Sequence, residues 1–145
     1  MKKVIISFMP LIVLLLVFNA SVLAGPLDSI PKDPYAQTLQ PEQTISVPAK
    51  AGSGAHISVP GRGVFAIDFA VEGNKSLLLM LLTNDQYNSV LAGRQVTSSP
   101  IMRVTINGTA SQTIIMDRGE YFIFLGNDAS SNTVITYRAT WRRTS

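Results

Sequence analysis

Between Val64 and Thr83 the pattern of apolar residues leaves little freedom of fold. Phe65, Ile67, Phe69 and Val71 fall on one side of an extended chain, and Ala66, Asp68 and Ala70 on the other, the period-two signature of a half-buried strand. A turn cluster, Glu72-Gly73-Asn74-Lys75, follows, and then six consecutive apolar residues from Leu77 to Leu82. A run this short reads equally as helix or buried strand on periodicity alone. The turn before it and the polar, cappable tip after it assign it as a buried central strand.

The same alternation recurs further on. Met102, Val104 and Ile106 oppose Arg103 and Thr105, and Asn107-Gly108 is a hairpin signal leading into Thr109–Met116. Tyr121, Ile123 and Leu125 oppose Phe122 and Phe124. In Thr133–Trp141, Ile135, Tyr137, Ala139 and Trp141 point inward, with Val134, Thr136, Arg138 and Thr140 outward. With short strands at Thr44–Val47 and His56–Val59, separated by a flexible loop from Ala49 to Gly54, this makes about eight strands at sandwich spacing. Thr83 or Asn84 caps one short helix that stops at Gly93, with Tyr87 and Val90 or Leu91 on the side facing the sandwich. The fold class is all-β.

The ends of the chain read differently. Residues 1–24 have the form of a secretory signal peptide: Lys2 and Lys3, an apolar stretch from Val4 to Phe18, and a small-residue cleavage site at Val22-Leu23-Ala24. Residues 25–43 carry Pro26, Pro31, Pro34 and Pro41 and read as a Pro-rich linker, which leaves 44–143 as the β-sandwich domain. The expected location is periplasmic or extracellular, with no stable membrane insertion after cleavage.

Composition narrows the chemistry. The formal charge of +3 includes Lys2 and Lys3; without them ten of the twelve Lys/Arg face nine Asp/Glu, close to balance. No basic run or basic–aromatic interleave points to nucleic acid. Without cysteine, disulfides, thiol catalysis and cysteine-ligated metal sites are excluded. His56 is the single histidine, with Ser53 and Ser58 nearby but no nucleophile-elbow sequence around them. Asp68, a lone carboxylate between two alanines, is the candidate polar anchor of a groove on an open sheet face, or else a charge that discourages edge pairing. Its pairing with Glu120 across a sheet is the one route to a two-carboxylate glycosidase site. Asp117, Glu120, Asn127 and Asp128 are oxygen donors near loops where calcium would gather; no cofactor is otherwise expected. Arg138, with Arg142 and Arg143, forms a cationic outward rim. Asp68, Tyr87 and Arg138 are the binding candidates.

Two segments carry a family resemblance. One runs from Gly73 through Thr83-Asn84-Asp85-Gln86-Tyr87 to Gly93; the other runs from Met116-Asp117-Arg118-Gly119-Glu120-Tyr121 to Asn127 and on to Val134. Over about residues 43–142 the chain resembles the GOLD-like and bacterial pre-peptidase C-terminal β-sandwiches. The resemblance implies an eight-stranded antiparallel jelly roll serving as a binding, adhesion or accessory module, and it implies no reaction. The expected role is a non-enzymatic module engaging a protein or glycan at the cell envelope. The rivals are a structural subunit of a surface assembly, and a small hydrolase or calcium-dependent lectin. Oligomeric state is open at this level.

Overall fold

The computed structural model describes residues 25–95 and 98–144; the signal-peptide expectation for residues 1–24 lies outside the described residues. Eight strands form two four-stranded antiparallel sheets. In chain order they are β1 (Gln37–Val47), β2 (Ala51–Val59), β3 (Gly63–Val71), β4 (Ser76–Thr83), β5 (Met102–Asn107), β6 (Thr109–Met116), β7 (Gly119–Asn127) and β8 (Thr133–Arg143), with one helix, α1 (Asn84–Leu91), between β4 and β5. Sheet A has the order β1-β8-β3-β6 and sheet B the order β2-β7-β4-β5. This is an eight-stranded jelly roll.

The inner faces interdigitate as the alternation predicts. Phe65, Ile67 and Phe69 from β3, Leu77, Leu79 and Leu81 from β4, Ile123 and Leu125 from β7, and Ile135, Tyr137, Ala139 and Trp141 from β8 make one buried core. Burying such side chains contributes about 1.5–3 kcal/mol each before entropy is counted. β3 and β4 are central strands of different sheets, so they do not pair with each other: β3 lies between β8 and β6, and β4 between β7 and β5. The apolar run of β4 extends to its outer face, where Leu82 is fully buried and α1 packs on the strand.

Three sequence expectations are corrected. Asn107-Gly108 does not close a hairpin, because β5 and β6 belong to different sheets. Only Gly108 of the two has positive φ, at 61°, where a type I′ turn needs both; the glycine carries the chain across the sandwich, and its carbonyl accepts from Val71 N–H.

Ala51–Gly54 is strand, not loop. β2 pairs with β7 along its whole length, Ala51 opposite Asn127 and Gly52 opposite Gly126. Its glycines are there because rings lie over the backbone: a Cβ on Gly52 would sit 2.5 Å from Phe124 Cζ, and one on Gly54 3.1 Å from Tyr87 Cε1.

Finally, β1 begins at Gln37 rather than Thr44. Pro41 is accommodated because β1 is an edge strand and its pairing with β8 shifts register between Gln40 and Gln43. Residues 25–36 are not a free spacer but lie on the sandwich, with Leu27 fully buried.

Helix α1 is closed at both ends by local chemistry. Thr83 accepts from Gln86 N–H while the Gln86 side chain accepts from Thr83 N–H, a reciprocal capping box. At the other end Arg94 N–H reaches Ser89 O and Gly93 N–H reaches Val90 O, with Gly93 at φ 73°, a Schellman stop.

Candidate functional site

The two outer faces of the sandwich differ. On sheet A, register alone puts Arg138 of β8 opposite Asp68 of β3, and Asp68 opposite Ser111 of β6. Arg138 Nε donates to Asp68 Oδ2 at 2.7 Å, and Ser111 Oγ donates to Asp68 Oδ1 at 2.5 Å. Glu42 from the β1 bulge lies 3.7 Å from Arg138 Nη1. The row Glu42–Arg138–Asp68–Ser111 thus crosses the sheet.

It is covered from above. Arg138 Nη2 donates to Ile30 O at 3.0 Å, and Arg142 lies 3.5 Å from Asp33. The residues before β1 form an arm over this face, and the side chains of Arg138 and Asp68 keep only 7% and 11% of their exposure.

Neither the open groove expected around Asp68 nor a solvated edge charge is what the fold holds, and Arg138 is not an outward rim. The proline content of the arm signalled extended chain but not where it would dock.

Sheet B keeps an accessible outer face, built on β2, β7 and α1. Tyr87 from α1 stacks on Phe122 of β7 with ring centroids 3.8 Å apart and planes 8° apart. His56 of β2 meets the same ring edge-on at 5.1 Å. His56 Nε2 is 2.6 Å from Glu120 Oε1, and Ser58 Oγ donates to Glu120 Oε2 at 2.5 Å.

Serine, histidine and carboxylate therefore meet, but in the wrong order for nucleophilic catalysis: the carboxylate sits between the other two and itself accepts the serine hydroxyl's hydrogen bond. A triad needs the imidazole between serine and carboxylate. The His56 and Glu120 side chains are each about half exposed, so the group is a polar border to the aromatic cluster.

Further along this face a depression of about 860 Å³ is lined by Lys50, Lys75 and Arg103 together with Asn74, Thr105 and Asp128. Lys50 and Lys75 donate to the carbonyls of Asp128 and Asn132. That end of the face is cationic, since Asp128 is its one carboxylate.

Asp68 and Arg138 are thus brought together, and Tyr87 lies on the other sheet. Sequence reasoning considers Glu120 only as a second carboxylate or a calcium donor and misses Phe122 and the two β2 glycines; the signal available is the pairing of large outward residues on one strand with glycines on another.

Asp68 and Glu120 sit in different sheets, which removes the two-carboxylate route. The donors considered for calcium are dispersed: Asp117 pairs with Arg62 at 2.6 Å, Glu120 with His56, and Asn127 Nδ2 donates to Val47 O and Ser131 O. Among the described residues no group of three or more acidic or imidazole side chains converges.

Gln86, also unmarked, is buried and its amide nitrogen reaches Ser98 Oγ and Ser99 O, both at 2.9 Å, tying these two residues ahead of β5 to the start of α1.

No protein-family model matches the chain, and comparison with curated protein sequences gives no significant match. Solved structures do match in fold. The pre-peptidase C-terminal domain of a Bacillus anthracis collagenase aligns with a TM-score of 0.55 at 10% identity, over 70% of this chain and 89% of that one. The Yersinia pseudotuberculosis-derived mitogen aligns at 0.51 and 14% identity, over 75% of this chain and 91% of that one. PliG of Aeromonas hydrophila, a periplasmic inhibitor of g-type lysozyme, aligns at 0.50 and 8% identity, over 72% and 88%. The architecture expected from the Gly73–Gly93 and Met116–Val134 segments is the one found, and at these identities the likeness is one of fold.

Proposed function

We propose that this protein is an exported, non-enzymatic binding module, and that it engages a protein or glycan of the cell envelope through the outer face of sheet B. One observation carries the reading: residues 25–36 cover the β8–β3 part of one outer face, while the other presents a half-exposed aromatic cluster, Tyr87–Phe122–His56. Aromatic ring faces take the C–H faces of sugars or the apolar side chains of a partner, and Glu120, Ser58 and His56 supply acceptors and donors at the border. The cationic end at Lys50, Lys75 and Arg103 suits an acidic group on the same ligand. That a sandwich of this architecture is a periplasmic lysozyme inhibitor in Aeromonas hydrophila is in keeping with such a role. Export itself rests on the charged and apolar pattern of residues 1–24. Among the described residues no helix is long and apolar enough to cross a membrane.

The test is site-specific photo-crosslinking in intact cells. A crosslinker in place of Tyr87 should capture envelope glycan or protein, one in place of Thr140 on sheet A should not, and Phe122→Ala should abolish capture from a crosslinker at His56. Capture from position 140 alone would overturn the placement. Multiple-turnover hydrolysis lost in His56→Ala would overturn the non-enzymatic reading.

A further inference from the structure

Each sheet of an open sandwich ends in two edge strands, and an edge presents backbone donors and acceptors that another chain can use. Here the four edges are β1 and β6 in sheet A and β2 and β5 in sheet B. Three are blunted. β1 carries Pro41, Glu42 and a bulge; β2 is weakened as a pairing edge by Gly52 and Gly54; β5 carries Arg103.

β6 (TASQTIIM) contains no charged residue, no proline and no glycine, and is rich in β-branched residues. One side of its backbone pairs with β3 from Gly63 to Ala70, and nothing among the described residues pairs with the other. Ile115 is 53% exposed beside it. Its register partner Val64 is half-buried and lines a depression with Tyr35, which is 81% exposed. Two of the three exposed large hydrophobic residues among those described, Tyr35 and Ile115, therefore sit at this end of sheet A.

We propose that β6 pairs antiparallel with β6 of a second copy of this chain, joining the two A sheets into one eight-stranded sheet. The charge pattern selects this occupant. A two-fold axis through the pairing places the residues at its centre beside their own copies, so a charge there would meet a like charge. β6 has none. The axis stands perpendicular to the sheet and keeps each face on its own side, so opposed residues have equal parity. The pairing is centred on Gln112 or Thr113. Ile115 then faces Thr109 or Ser111, and Asp117, the first charge after the strand, faces the neutral Asn107 or Thr109. A strand edge of this length buries less than about 1,200 Å², the range of weak, reversible association, and leaves the outer face of sheet B free in both copies.

Sedimentation velocity of the protein, expressed from its full sequence and purified as the cell leaves it, tests this. The wild type should shift from monomer to dimer over a concentration range on the order of 1–500 µM. Thr113→Lys, an exposed outward position, should stay monomeric with unchanged circular dichroism and melting; an equimolar mixture of Thr113→Lys and Thr113→Glu should dimerise again. Rescue by the opposite charge separates lost pairing from lost folding. A wild type that stays monomeric throughout, dimers that persist in Thr113→Lys, or a monomer that instead takes up an added extended peptide along β6 would each overturn self-pairing.

Discussion

Asp68 and Arg138 form a pair 2.7 Å apart with almost no access to solvent, and such a pair costs more to break than it contributes when whole. Asp68→Ala leaves a guanidinium buried with only Glu42 at 3.7 Å and the Ile30 carbonyl. A loss of about 3–5 kcal/mol in urea unfolding is expected. Adding Arg138→Met should restore most of it, since an apolar side chain of similar reach suits the covered site; failure of that rescue would mean that the charge itself holds the arm.

A second residue sets a pH limit. Tyr137 is buried, and that burial raises its hydroxyl pKa above 10.0 although the hydrogen bond from Gln43 works the other way. The folded state therefore holds this proton more tightly than the unfolded chain. The stability this confers is complete below the unfolded value and is lost as pH climbs from there through the folded value. Melting temperature should fall above about pH 10, and Tyr137→Phe should flatten that fall. Tyr121, raised by desolvation and then by Asp117, contributes in the same direction.

At the scale of elements, the glycines separate two kinds of constraint. A Cβ on Gly63 would meet Trp141 Nε1 at 2.5 Å and run into the backbone carbonyl of Arg142, and neither yields, since Trp141 is anchored by its bond to Gly61 O at 3.0 Å. A Cβ on Gly52 meets chiefly the far end of the half-exposed Phe124 ring, which can swing outward. Gly63→Ala should destabilise by about 1–3 kcal/mol, and Gly52→Ala by clearly less in the same denaturant titration; equal losses would mean Phe124 is as fixed as Trp141.

The same distinction explains what the sequence disclosed. The alternation of β3, β7 and β8 and the cap of α1 are local signals, and they gave strands, inward faces and helix ends directly. The exchange of sheets at Gly108 and the burial of the Asp68–Arg138 row depend on residues tens of positions apart. Gly52 and Gly54 read as a loop because their partners, Phe124 and Tyr87, lie elsewhere in the chain. Chemical oddity in a sequence marks a buried ion pair such as Asp68–Arg138 as readily as a surface; the aromatic cluster needs the fold to assemble it.

At the scale of the whole molecule, the arm decides which face is available. Leu27 is fully buried yet outside the main core, and the arm's polar ties are Ile30 O to Arg138 and Asp33 to Arg142. Removing residues 25–36 leaves every strand intact but strips this cover. The lost burial of Leu27 costs about 1.5–3 kcal/mol, and rehydration of Arg138 and Asp68 offsets part of it. The truncated protein should therefore fold with a lowered melting temperature, and amide exchange should quicken in β8 and β3 while β4 and β7 stay protected. Leu27→Asp, which keeps the arm's length but makes its burial unfavourable, should reproduce that pattern. If neither change alters exchange in β8, the arm does not hold this face closed, and the asymmetry that directs binding to sheet B would have to come from the aromatic cluster alone.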